Sequence, residues 1–98
     1  MNQNLPIHVT VTQSETESRF AKRYRVLLHN DDFNFCHAVV QTLQKVWGFN
    51  SQEATILMWE AHYIGVAICR GGLSFEYAEA KAQQMLAQWL TASVEEDQ

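Results

Sequence analysis

Gly48 and Gly65 each close a run whose apolar residues recur every three or four positions, and this punctuation limits the fold more than any other feature. In the first run, Cys36, Val39, Val40, Leu43, Val46 and Trp47 fall on one face of a helix, and Gly48 stops it. The second begins at Asn50 or Ser51, residue types that cap helices, with Glu53 beside the free amides of the first turn. It runs to about Tyr63, and Gly65 stands where a left-handed C-terminal residue is wanted.

The flanks have a different period. Tyr24-Arg25-Val26-Leu27-Leu28-His29 is rich in strand-favouring residues and halts at an Asn-Asp-Asp turn. Val66-Ala67-Ile68-Cys69 is a short apolar strand, Arg70-Gly71-Gly72 reads as a turn, and Ser74 caps a last helix with Glu76 in its first turn. Tyr77, Lys81, Met85, Trp89 and Leu90 mark the length of that helix. The order β-α-α-β-α predicts an α+β class, a small antiparallel sheet packed against three helices.

With 98 residues the chain holds one core, expected over residues 20–92. Residues 1–19 read as a partly flexible N-terminal extension, although Ile7, Val9 and Val11 alternate with polar residues as a strand would. Residues 93–98 read as an acidic tail, and "LTASVEEDQ" offers no strand.

Hydrophobic residues make up 47% of the chain, enough for a small core. A net charge of -4, with basic residues only loosely grouped between Arg19 and Arg25, argues against nucleic acid, whose phosphates need concentrated positive charge. Cys36 and Cys69 are too far apart in sequence for a Cys-x-x-Cys zinc signature and too few for a disulfide framework, which suits a reducing cytoplasm. No basic-then-apolar leader and no apolar run of about 18 residues is present, so neither secretion nor membrane insertion is expected.

The chemistry concentrates in "HNDDFNFCH", residues 29–37. Its acids and amides can shape a turn, hold a metal or receive a cation. On the second helix, Met58, Ala61 and His62 share one side. If that side meets the loop, Asn30, Asp31, Asp32 and His62 supply acceptors at one end of a pocket. Cys36, Val39, Met58 and Ala61 give it an apolar bottom, a division suited to a cation joined to a hydrophobic group. A metal site built on Cys36, His37 and His62 is disfavoured because adjacent helical residues point about 100° apart. A Cys36–His62 nucleophile lacks an orienting third group and an oxyanion hole.

Taken together, "YRVLLHNDDFNF", "LQKVWGF", "ATILMWEAHYIGVAIC" and "EYAEAKA" resemble the ClpS family, adaptors that deliver N-degron substrates to a AAA+ Clp unfoldase. The resemblance covers roughly residues 24–81. It implies a non-enzymatic binding module without a cofactor or metal, taking substrate proteins with N-terminal Leu, Phe, Tyr or Trp. By that likeness Asn30, Asp31, Asp32 and His62 serve the free α-amino group, and Asn34, Cys36, Val39, Met58 and Ala61 surround the first side chain. Glu76, Glu79 and Lys81 match the surface that docks on the unfoldase's N-terminal domain. Residues 1–19 take the place of the extension used for handover. The resemblance leaves a second function open, a regulator that docks on the unfoldase without recognising N-termini.

Two departures bear on the pocket. The family usually has Thr-Pro-Met where this chain has Asn34-Phe35-Cys36, and valine where it has Ala61, which predicts a wider pocket unless Phe35 swings in. The family also ends in a strand that adds an apolar pocket residue. Without such a strand here, Ile7, Val9 and Val11 are the candidates to replace it.

Overall fold

The computed structural model describes residues 22–97, so the segment holding Ile7, Val9 and Val11 and the expected extension lie outside the described residues. The elements follow in the order β1 (Tyr24–His29), α1 (Cys36–Trp47), α2 (Ser51–Ile64), β2 (Val66–Leu73), α3 (Phe75–Ala87) and β3 (Thr91–Glu96). The strands form one antiparallel sheet in the order β2-β1-β3. The α+β class, antiparallel sheet and three helices therefore stand, while the absence of a final strand does not.

Strand β3 occupies the stretch read as structureless. Val94 is its only large apolar residue, so its pattern is faint, and pairing with β1 decides its conformation. Arg25 donates to the Glu95 carboxylate, and the His29 ring and the Ser93 hydroxyl are hydrogen-bonded at 2.7 Å. A charged, short edge strand is also a poor template for pairing with other chains.

Two further boundaries differ. Strand β2 continues through Arg70-Gly71-Gly72 to Leu73, because register shifts against β1 put the glycines in an irregular stretch of the ladder instead of a turn. Helix α3 stops at Ala87, short of Trp89 and Leu90. Trp89 adopts a left-handed φ of 71°, its N–H reaches the Leu86 carbonyl, and the Leu90 N–H reaches the Met85 carbonyl. Those crossed bonds are a Schellman motif, which terminates a helix, here with tryptophan where glycine is usual.

The other caps are as the sequence predicts. Asn50 and Glu53 form a reciprocal capping box on α2, and the Ser74 hydroxyl accepts from the Tyr77 amide on α3. Gly48 and Gly65 take left-handed conformations at the ends of α1 and α2.

One face of the sheet packs on the helices. Val26 and Leu28 of β1 and Leu43 of α1 are all but fully buried, with Met85 of α3 and Leu90 joining them. Burying each such side chain contributes about 1.5–3 kcal/mol, which is why the central strand is also the most apolar. No helix among the described residues is long and apolar enough to cross a membrane.

Candidate functional site

At the C-terminal end of β1 the chain turns through residues 30–35 into α1, and this loop faces the second half of α2. Asp31 makes the turn. Its Oδ1 accepts the Phe33 and Asn34 amides at 2.9 Å each, and the Asn34 side-chain amide reaches both carboxylate oxygens at 3.3 and 3.1 Å. The same Asn34 nitrogen donates to the Trp89 carbonyl at 2.8 Å, which ties the loop to the end of α3. The Asn30 amide donates to the Gly65 carbonyl at 3.0 Å, so the loop is also pinned to the end of α2.

These anchors leave a cavity of about 350 Å³, mouth included, between β1, the first turn of α1 and α2. Leu28, Cys36, Val39, Met58 and Ala61 supply apolar lining, while His29, Asn30, Asp31, Asn34 and His62 supply polar atoms. Met58 and Ala61 are buried, and Asn30 and His62 stand exposed at the rim.

The structure thus brings together eight of the sequence-predicted residues: Asn30, Asp31, Asn34, Cys36, Val39, Met58, Ala61 and His62. Asp32 does not line the cavity and is exposed. Leu28 and His29 line it without having been predicted, although the strand's alternation, extended to its last residues, carries the signal for Leu28. Phe35 remains 75% exposed, stacked on His37, so it does not refill the volume lost with Cys36 and Ala61.

Electrostatically the rim is a set of acceptors. Partial burial is the largest influence on Asp31 and raises its pKa, but bonds from the Asn34 and Phe33 amides and the Asn34 side chain together hold the carboxyl below its usual range. Asp31 is therefore ionised at neutral pH. Among the described residues the Asn30 side chain and the His62 ring make no hydrogen bond, which leaves their acceptor atoms available to a donor from outside. Of the two thiols, Cys36 is exposed, whereas burial pushes Cys69 up to about 12 and makes it inert. Among the described residues no group of three His, Cys, Asp or Glu side chains is placed to hold a metal.

Glu76, Glu79 and Lys81 lie on α3, away from the cavity lining. Glu76 and Glu79 are exposed. Lys81 is half-buried: its ammonium donates to the Val46 carbonyl at 2.7 Å and sits over the Trp47 and Tyr77 rings at 5.6 and 5.4 Å. It satisfies a carbonyl in the last turn of α1, where the helix dipole favours a cation.

Fold and cavity define a small α+β domain with one cleft that joins ionised and neutral acceptors to an apolar floor. The family model of the ATP-dependent Clp protease adaptor protein ClpS matches residues 19–93, and the chain belongs to that family, one of adaptors and not of catalysts. The ClpS adapter protein of Brucella abortus is 38% identical over 78 residues, 80% of this chain and 66% of the relative. That of Nitratidesulfovibrio vulgaris is 43% identical over 68 residues, 69% of this chain and 64% of the relative. The matches thus span just under two thirds of those relatives' length. The structure of Agrobacterium tumefaciens ClpS2 bound to L-phenylalaninamide aligns with a TM-score of 0.71 at 27% identity, covering 78% of this chain and 98% of that one.

Proposed function

We propose that the cavity receives the first residue of a polypeptide, and that the chain presents such N-degron substrates to a AAA+ Clp unfoldase for proteolysis. The observation that carries this reading is the union, in one cleft, of available acceptors with a buried apolar floor. An ammonium has donors only and must find acceptors on leaving water, which Asn30, Asp31 and His62 offer, with Asp32 adding charge nearby. A bulky first side chain such as Leu, Phe, Tyr or Trp fills the space between Asn34, Cys36, Val39, Met58 and Ala61, gaining roughly 25 cal/mol per Å² of apolar area. L-phenylalaninamide, which the Agrobacterium relative holds, has the same two features: a free α-amino group and a hydrophobic side chain. Glu76, Glu79 and Lys81 form the face assigned to the unfoldase's N-terminal domain. There Glu76 and Glu79 contact the partner, while Lys81 holds α1 against α3.

Fluorescence anisotropy with peptides that differ only in their first residue, each free and N-acetylated, tests the reading. Acetylation removes charge-assisted bonds of about 1.5–3 kcal/mol each, so it should weaken binding tenfold or more. Affinity should also fall as pH rises past about 8, where the amine loses its proton. Equal binding of free and acetylated peptides would refute the proposal, and no binding of either would favour a regulator that docks without N-terminal recognition. Because Cys36 and Ala61 leave the floor wide, Cys36→Met should shift the ranking of first residues toward smaller side chains. An unchanged ranking would show that position 36 does not set preference.

A further inference from the structure

Helix α2 is apolar on two sides. Its inner side buries Ala54, Met58 and Ala61, as a helix packed on a sheet must. Its outer side carries Ile56, Trp59, Tyr63 and Ile64, all exposed, and Tyr63 is 76% exposed. Single exposed hydrophobic residues are ordinary, but contiguous ones mark a contact surface. Here the contiguity is physical. Trp59 and Tyr63, one turn apart, stack with ring centroids 5.3 Å apart and planes 19° from parallel. His62 lies edge-on to both, at 5.7 Å from Trp59 and 4.9 Å from Tyr63.

His62 also lines the cavity, so the aromatic ledge is continuous with the cavity mouth. We infer that Trp59 and Tyr63 form a second recognition subsite, which takes an aromatic or large apolar side chain at the second or third position of the bound polypeptide. The inference rests on the reading of the cavity as an N-terminal pocket. A chain whose first residue fills that pocket must leave past its rim, and consecutive Cα atoms lie roughly 3.8 Å apart, so the next side chains emerge within reach of the ledge. The stacked rings are already ordered against each other, which lowers the entropy lost when a third group packs on them. An isolated pair of exposed aromatic residues contributes little to the core. A pair that extends the pocket contributes to selectivity.

The test uses the full chain and peptides that begin with Phe and carry Ala, Leu, Phe or Trp at the second or third position, each free and acetylated. With wild-type protein, Trp or Phe at one of those positions should bind about three- to tenfold more tightly than Ala. Trp59→Ala and Tyr63→Ser should erase that difference while the Ala peptide still binds in an acetylation-sensitive way. Tyr63 is the more exposed, so its replacement leaves the fold intact if Trp59→Ala does not. Amine-dependent binding that ignores the second and third residues would overturn the subsite and spare the pocket. Binding that ignores acetylation would overturn both. Sedimentation at several concentrations supplies the rival occupant: self-association abolished by Trp59→Ala would assign the ledge to a second copy of the chain and overturn the inference.

Discussion

At Asp31, Oδ1 is committed to the Phe33 and Asn34 amides, while Oδ2 receives only the Asn34 side chain and keeps lone pairs for a ligand. In the proposed function the turn-forming and ligand-binding roles thus fall on different atoms of one carboxylate. Asp31→Asn keeps an oxygen for the turn and loses the charge. Anisotropy should therefore show binding of free-amine peptides weakened tenfold or more, with the fold retained. The pH dependence has a definite sign. Since the folded pKa lies below the ordinary carboxylate value, the ionised group stabilises the fold fully above about pH 4, and that contribution is lost as pH falls through the depressed pKa. Thermal melts of wild type against Asp31→Asn should diverge above pH 4 and converge below it. The acceptor role was picked out only by the ClpS resemblance, whereas the turn was legible in the sequence because Asn and Asp after a strand shape turns. Which oxygen serves which role was not, since that depends on how residues 33 and 34 fold back.

At the scale of elements, helix ends separate two kinds of signal. Asn50, Glu53, Ser74, Gly48 and Gly65 act through their own backbone or their nearest turn, and each is readable locally. Trp89 is not, because its left-handed conformation runs against its side chain and is held by the Leu86 and Met85 carbonyls and by burial of Leu90. Opposite effects should follow in thermal unfolding. Gly65→Ala, at φ 105°, should destabilise by about 1–2 kcal/mol, whereas Trp89→Gly should stabilise by up to about 1 kcal/mol by relieving the same strain. Gly65 also accepts the Asn30 amide, so Gly65→Ala should loosen peptide binding along with the fold.

Over the whole molecule, the least legible part was the most distant pairing. Nothing within "TASVEE" marks a strand; β1 does, by presenting an open edge lined with Arg25, His29 and Val26 opposite Glu95, Thr91 and Val94. Removal of residues 91–98 should therefore leave β1 as an exposed edge and uncover part of α3. The expected result is loss of a cooperative thermal transition and the onset of aggregation, read by light scattering. A sharp transition in the shortened chain would show that β3 is dispensable. The sheet order has a consequence for biosynthesis too. Strand β1 emerges from the ribosome before β3 and stays half-paired until β3 has also cleared the exit tunnel. A chain cut short before β3 is therefore released with its central strand open to proteases and chaperones.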